Sequence, residues 1–245
     1  MRTKGDNASG TRQAWVVTDN VARAPQRRTV LIAFGVALAV IVVTSLIVRS
    51  GKVSQVEKDV FHAINDLPDW LRPVMYVFQL AGLLFIPILV AVGAALFRKW
   101  WLTLCLVLVV PMKLLVEHEV IKKLIDRQRP GTSICHGDPT CGHFRDVPLR
   151  GESFVSGHAI ITGSVATLLF FYLGRTGRIV VVAIAVANAI ARIYLGAHNP
   201  LDVVGGGAVG VGIACILLLI FDPVRRDARH AARVHANTGV TPEPA

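Results

Sequence analysis

Charged residues are scarce in this chain, and acidic residues are scarcer than basic ones. Asp, Glu, Lys and Arg make up 17% of the 245 residues, with 26 Lys or Arg against 16 Asp or Glu. Hydrophobic residues make up 53% of the chain, and its mean hydropathy is +0.55. Soluble globular domains average about 25% charged residues. The composition therefore argues against a soluble enzyme and against a second, soluble domain.

The sequence also lacks a concentrated basic face of the kind that binds nucleic acid. Its net charge of +10 is spread over tails and loops, so we expect no nucleic-acid partner. Basic residues gather in both terminal segments and in the short turns at 98–99 and 174–178. The positive-inside rule places such segments in the cytoplasm. Residues 1–29 and 222–245 are thus predicted to be cytoplasmic tails.

Uncharged sequence, by contrast, is abundant and comes in long runs. A transmembrane helix needs about 20 apolar residues to cross a bilayer. The first apolar run starts near residue 30 and is too long for a cleaved signal segment, so we expect it to be retained as a span. Six transmembrane helices are predicted, at 30–48, 74–97, 100–116, 157–173, 179–195 and 203–221. The predicted fold is an all-α polytopic membrane protein with one domain, residues 30–221, in the cell membrane.

The first external segment, residues 50–73, carries apolar residues at helical spacing. Val53, Val56, Val60, Phe61 and Ile64 recur at helical spacing, which favours a surface helix that anchors the bundle, with a role in substrate entry as the alternative.

Only four cysteines are present, too few for a disulfide-dense scaffold. Cys135 and Cys141 lie in the long irregular loop 131–155, which the predicted topology places outside the cytoplasm. A disulfide between them is the preferred interpretation in that oxidising compartment. The alternative is a metal site that adds His136 and His143, although this spacing matches no standard zinc pattern.

Three cations flank this loop. Lys122 lies near the outer end of the third span, and Arg129 follows it in the sequence. Arg192 lies in a predicted apolar helix, where an unpaired charge is costly. Arginine forks match phosphate oxygens, so the three together favour a phosphate site over three separate membrane-edge anchors.

The fourth span opens with Ser156-Gly157-His158. Serine is a good N-cap, and the first-turn N–H groups of a helix point at any anion placed there. Glycine permits close backbone approach. His158 would then lie beside a bound phosphate, whereas its alternative role is that of an ordinary interfacial histidine.

A third polar cluster precedes the sixth span. Asn199-Pro200 predicts a helix start, which puts Asp202 in the first turn. We expect Asp202 to hydrogen-bond one ring nitrogen of His198 and leave the other nitrogen free to attack. Asp202 alone could equally be a helix-capping carboxylate.

These clusters strongly resemble the type 2 phosphatidic acid phosphatase superfamily, whose signature is K-x6-RP, PSGH and SR-x5-H-x3-D. The first motif is matched fully by Lys122 through Arg129-Pro130. The second reads Val155-Ser156-Gly157-His158, with valine in place of proline. The third reads Ala191-Arg192, then His198 and Asp202 at the family spacing, with alanine in place of serine.

The resemblance implies a metal-free and cofactor-free lipid phosphatase with its active site at the outer membrane face. His198 would be the nucleophile, Asp202 its orienting group and His158 the acid. The phosphate would be held by Lys122, Arg129, Ser156, Gly157 and Arg192. Implied substrates are a polyprenyl pyrophosphate, phosphatidic acid or phosphatidylglycerol phosphate, and implied partners are membrane lipids. A phosphotransferase of this family or a non-catalytic transporter or scaffold are the alternatives, and the sequence predicts no oligomeric state.

Overall fold

The computed structural model describes residues 25–145 and 147–238. Within these ranges the regular secondary structure is helical, apart from one isolated bridge between Gln128 and Glu152. Most of the predicted N-terminal tail, up to residue 24, lies outside the described residues.

Eleven helices are described in these ranges. In chain order they are α1 (Arg27–Val48), α2 (Gln55–Asn65), α3 (Arg72–Leu80), α4 (Ile86–Leu96), α5 (Trp100–Leu114), α6 (Lys122–Leu124), α7 (Pro130–Ser133), α8 (Gly157–Phe170), α9 (Arg175–Tyr194), α10 (Pro200–Phe221) and α11 (Pro223–Thr238). A π-helical segment, Leu115–Ile121, continues α5 into α6.

The structure confirms an all-α membrane protein. Three helices, α1, α9 and α10, are long and apolar enough to cross a bilayer. The second predicted span is divided into α3 and α4, the third continues α5 through the π-helical segment, and the fourth, α8, has 14 residues. The count of six crossings stays a prediction.

Helix α10 lies at the centre of the bundle, against α8 and α1. A side chain at Gly206 would place its Cβ 2.5 Å from the carbonyl oxygen of Ser156, and one at Gly210 would place it 2.8 Å from the nitrogen of Ser164. Only glycine permits so close an approach. The N-terminal ends of α8 and α10 therefore meet at one end of the bundle.

The break between α3 and α4 moves the second span from one neighbour to another, because α3 packs on α9 while α4 packs on α5. Asn188 of α9 donates to the carbonyl oxygens of Phe78 and Gln79 at 2.9 and 3.2 Å, which satisfies the open end of α3. The break thereby comes to rest beside the start of α8.

The apolar set predicted for α2 is only partly buried: Phe61 is fully enclosed and Ile64 packs against the same cluster, but other members are exposed. Val56 and Val60 are 73% and 42% exposed, and the buried face consists of Glu57, Phe61 and Asn65. In a membrane protein, apolar side chains can face lipid while polar ones pair inside the bundle. Helix α2 is therefore held by the packing of Phe61 together with the polar contacts of Glu57 and Asn65.

The segment predicted as a C-terminal tail contains α11, and residues 239–245 lie outside the described part. Asp227 of α11 is buried and accepts from the nitrogens of Trp101 and Leu102, at 2.9 and 3.2 Å, and from the Tyr172 hydroxyl at 2.7 Å. These bonds satisfy open N–H groups at the start of α5. Helix α11 is thus attached to the bundle end remote from the α8 and α10 N-termini.

A disulfide between Cys135 and Cys141, whose Cα atoms are 5.4 Å apart, closes part of the loop 131–155. Both thiols are consumed by this bond, so the alternative metal site loses its sulfur ligands. No group of three or more His, Cys, Asp or Glu side chains among residues 25–145 and 147–238 is arranged to hold a metal ion. Arg145 fastens the loop to the end of α9, where it donates to the Tyr194 carbonyl at 2.6 Å and stacks on that ring.

We expect Cys135 and Cys141 to resist alkylation in native membranes unless a reductant is added, since the bond leaves no free thiol. Mass spectrometry after alkylation with and without reductant measures this directly. Cys105 and Cys215 are buried free thiols and serve as internal controls after denaturation. Labelling of Cys135 and Cys141 in non-reduced, denatured samples would contradict the pairing.

Candidate active site

The three sequence motifs converge at the N-terminal ends of α8 and α10. The nitrogen of Ser156 donates to the carbonyl oxygen of Asp202 at 3.0 Å, which joins the second motif to the third. The nitrogen of Ser153 donates to the carbonyl oxygen of Arg127 at 2.7 Å, which joins the second to the first. Backbone contacts therefore bring the three motifs together, and a side-chain bond between Arg127 and Asp202 spans 75 positions of the sequence.

His198 is buried, with 5% of its surface exposed, and lies in the turn between α9 and α10. Its Nδ1 lies 3.0 Å from the carbonyl oxygen of Ser153, and a carbonyl can only accept. Nδ1 therefore carries the proton and donates it, which leaves the lone pair on Nε2. That is the tautomer required of a nucleophilic imidazole.

The expected direct bond between Asp202 and His198 is absent. The Oδ2 atom of Asp202 lies 3.9 Å from Nδ1, beyond hydrogen-bond distance. The Ser153 hydroxyl lies between them, donating a short hydrogen bond to Oδ2 while it sits 3.4 Å from Nδ1. Asp202 also accepts from the nitrogen of Asn199 at 2.8 Å, so it caps α10 as well. Its contact with the histidine passes through Ser153.

Asp202 has a second partner that the motif analysis did not single out. Arg127 is fully buried and donates to Oδ1 of Asp202 at 2.9 Å and to Oε2 of Glu57 at 2.6 Å. The other oxygen of Glu57 accepts from the nitrogen of Leu201 at 2.9 Å. A polar chain thus runs from α2 through Arg127 and Asp202 to Ser153 and the histidine.

Positive charge surrounds His198. Burial lowers the pKa of His198 well below its ordinary value, and the guanidinium groups of Arg192 and Arg129 lower it further. Both arginines predicted to bind phosphate are thus close enough to act electrostatically on this ring. The imidazole therefore stays neutral at neutral pH, with its lone pair available.

Several buried polar atoms in this region, among them Nε of Arg127, have no hydrogen-bond partner among the described residues, and two of them are candidate donors to an anion. One is Nε of Arg192, whose Nη1 donates to Gln79 at 2.5 Å, and the other is the hydroxyl oxygen of Ser156. Ser156 occupies the N-cap of α8 as predicted, but its side chain makes no capping bond. Buried polar atoms are normally satisfied, so both remain available to an anion at the start of α8.

Lys122 lies beside a carboxylate that the sequence analysis missed. Its ammonium is 2.8 Å from Oε1 of Glu117, and that of Lys113 is 2.5 Å from Oε2. A Cβ on Gly157 would lie 2.8 Å from the same carboxylate, so the two lysines are gathered at the first turn of α8. The π-helical segment, which often marks functional sites, orients Glu117 inward.

His158 occupies the first turn of α8 and packs against the break in the second span. A Cβ on Gly82 would lie 2.5 Å from Cβ of His158, so only glycine fits there. Every residue that the sequence predicted for the site lies in this region, while Glu57, Glu117, Arg127 and Ser153 were not singled out by the sequence analysis. Arg127 stands inside the first motif, and this was the one signal that could have found it.

Comparison with known proteins leads to the same family that the three motifs resemble. The family model of the PAP2 superfamily matches residues 98–226. The chain is 29% identical over 169 residues to the bacitracin transport permease protein BcrC of Bacillus licheniformis, covering 64% of this chain and 77% of that one. It is 30% identical over 159 residues to phosphatidylglycerophosphatase B of Bacillus subtilis, with 58% and 71% covered.

A third relative is the decaprenylphosphoryl-5-phosphoribose phosphatase of Mycobacterium tuberculosis, which is 33% identical over 140 residues, with 56% of this chain and 70% of that one covered. Among solved structures, LpxE of Aquifex aeolicus superposes with a TM-score of 0.57 at 24% identity, covering 65% of this chain and 93% of that one. The family match extends over more than half of the chain, including all three motifs. The chain is therefore a membrane protein of the PAP2 superfamily.

Proposed function

We propose that this protein hydrolyses the phosphate or pyrophosphate group of a membrane lipid through a phosphohistidine intermediate. One observation carries the proposal: a buried neutral imidazole, fixed by the Ser153 carbonyl, stands among arginines beside two unpartnered polar atoms. A nucleophile in this setting suits attack on a phosphorus atom whose oxygens are held by cations.

In the first step, Nε2 of His198 attacks phosphorus and the bond from phosphorus to the leaving oxygen breaks. His158 donates a proton to that oxygen, so the leaving lipid departs as an alcohol or a protonated phosphate. The Nδ1 proton stays on His198, hydrogen-bonded to Ser153, and the positive charge that develops on the ring is balanced through Ser153 by Asp202.

In the second step, water attacks the phosphohistidine, and His158, now neutral, takes its proton. The bond between phosphorus and Nε2 breaks, which releases phosphate and restores the imidazole. Throughout, Lys122, Arg129 and Arg192 with the first turn of α8 stabilise charge on the equatorial oxygens. These fixed cations supply the stabilisation that a metal ion gives elsewhere, so we propose a metal-independent reaction.

A lipid substrate is supported by the membrane setting of the site and by the names of two relatives. One is named as a phosphatidylglycerophosphatase and another as a decaprenylphosphoryl-5-phosphoribose phosphatase. A third is named as a transport permease, so transport is the competing function. Transport gives no role to an imidazole whose tautomer is fixed by a carbonyl and a hydroxyl–carboxylate pair.

Long-chain lipid phosphates are expected to be far better substrates than water-soluble esters. Each buried CH₂ contributes about 0.8 kcal/mol, so a tail that buries four of them raises kcat/KM by roughly a hundredfold or more. Phosphate release from phosphatidic acid, phosphatidylglycerol phosphate and polyprenyl pyrophosphate in detergent is compared with that from p-nitrophenyl phosphate. EDTA is present throughout. Equal efficiency on the soluble ester argues against a lipid substrate, and activity that requires added Mg²⁺ or Zn²⁺ argues against the metal-free mechanism.

We further propose that the site faces outward and that both termini are cytoplasmic. Pro139→Cys, in a Cys135→Ser, Cys141→Ser background, is expected to react with a membrane-impermeant maleimide on intact cells, because Pro139 lies in an exposed part of the loop. Arg225→Cys, at the opposite end of the bundle, is the matched control and is expected to react only after permeabilisation. The reverse labelling pattern would show that the topology is opposite to the one proposed.

A further inference from the structure

A pocket of about 320 Å³ lies at the end of the bundle remote from the candidate active site. Its lining consists of Trp101 at the start of α5 and four side chains of α11, namely Arg226, Arg229, His230 and Arg233. These four positions are three, four and seven residues apart, so they share one face of the helix. We call this the α11 pocket.

The α11 pocket is built on a fixed helix. Asp227, adjacent to Arg226, is 2% exposed and bonds to two backbone nitrogens of α5 and to the Tyr172 hydroxyl. The guanidinium carbon of Arg226 lies 4.4 Å from the centre of the Trp101 ring, which contributes a cation–π contact. The buried carboxylate of Asp227 thus fixes the orientation of α11, so that its basic face is held against the bundle. A tail without such an anchor would not hold these arginines in place.

The cations of this pocket are not neutralised by neighbouring carboxylates. Arg225 has a carboxylate at 3.5 Å, that of Asp222, but among the described residues none is in salt-bridge contact with Arg226, Arg229 or Arg233. Arginines gathered on one face repel one another unless an anion lies between them. Their planar forks fit the oxygens of a phosphate group.

The position of the pocket in the membrane indicates which kind of molecule would supply that phosphate group. Helix α10 has 22 residues and separates this end of the bundle from the His198 end by about 33 Å, close to the thickness of a bilayer core. Tryptophan at such a level sits among lipid headgroups. We propose that the α11 pocket binds the headgroup phosphate of an anionic phospholipid from the leaflet on its own side of the membrane.

The test uses the purified full-length protein in a neutral detergent, titrated with phosphatidylglycerol and followed by native mass spectrometry. Arg226→Gln/Arg229→Gln/Arg233→Gln is expected to weaken phosphatidylglycerol binding at least about tenfold, because it removes the guanidinium groups that would contact the phosphate directly. The control is Arg27→Gln/Arg28→Gln/Arg175→Gln, which removes the same charge from exposed positions at the same end of the bundle. Equal weakening in both triple variants would reduce the effect to general charge and overturn the proposal.

Two further arms identify the ligand and its location. In the first arm, phosphatidylcholine is expected to bind with equal affinity to the wild type and to the Arg226/Arg229/Arg233 triple variant. In the second arm, millimolar inorganic phosphate is expected not to displace bound phosphatidylglycerol. Displacement by inorganic phosphate would show a soluble-anion site instead of a lipid site. Arg192→Gln, at the other end of the bundle, is expected to retain phosphatidylglycerol binding whatever its turnover, and loss of binding there would place the lipid in the candidate active site.

Discussion

His198→Ala is expected to lower turnover of any lipid phosphate substrate by at least about a thousandfold, because it removes the nucleophile itself. The protein should still insert and fold. His198 contributes one hydrogen bond, to the Ser153 carbonyl, whereas the neighbouring Asp202 keeps its contacts with Arg127 and Asn199. Phosphate release and the thermal unfolding midpoint in detergent, both measured at matched expression, check the two halves of this expectation.

The matched control is His62→Ala, which removes a partly exposed histidine from α2. It is expected to leave turnover within about twofold, since typical surface changes perturb stability by only about 0.5 kcal/mol. With a ³²P-labelled substrate, an acid-labile label on the protein should be trapped in the wild type and in the control but not in His198→Ala. Near-normal turnover by His198→Ala would remove the nucleophile assignment.

Arg127→Leu is expected to damage both stability and activity. Removing one partner of a buried ion pair typically costs about 3–5 kcal/mol, and here two carboxylates would be left facing each other without a cation. Glu57 would lose its bond from Arg127, and Asp202 would keep only the Ser153 and Asn199 contacts. The unfolding midpoint should fall sharply, and kcat of the folded fraction should fall by more than about tenfold.

Glu57→Gln separates charge from geometry in the same network. The glutamine oxygen can still accept from Leu201, while the negative charge is removed, so a smaller loss of stability is expected than for Arg127→Leu. Arg150→Leu removes an exposed arginine of the same loop region and serves as the control. If Arg127→Leu unfolds like Arg150→Leu and keeps its kcat, the buried pairing does not support the site.

Local chemistry made much of the site predictable. His158, His198 and Asp202 stand at fixed spacings beside helix starts, and hydrophobic runs gave the helices that carry them. The capped start of α10 at Asn199-Pro200 also followed from sequence, because capping depends on adjacent residues.

The unpredicted contacts are those between distant segments. Glu57 meets Arg127 across 70 positions, and no periodicity in α2 distinguishes its buried carboxylate from a solvated one. Of the apolar residues in α2, Phe61 is buried whereas Val56 and Val60 are exposed, so helical spacing alone did not separate the two groups. Ser153 lies in an irregular loop, where no regular spacing relates it to Asp202.

The Glu57–Arg127–Asp202 connection also sets an order of events during synthesis. The ribosome adds Glu57 first, Arg127 70 residues later and Asp202 145 residues after Glu57. At about 5–20 residues per second, the nascent chain carries an incomplete network for roughly 7–30 s. Until Asp202 is added, Arg127 has one carboxylate partner, Glu57, and the Ser153 hydroxyl beside His198 has no carboxylate acceptor. A partly translated chain in the membrane would therefore lack a complete site, and activity would arise only after α10, which carries Asp202, has been synthesised and inserted.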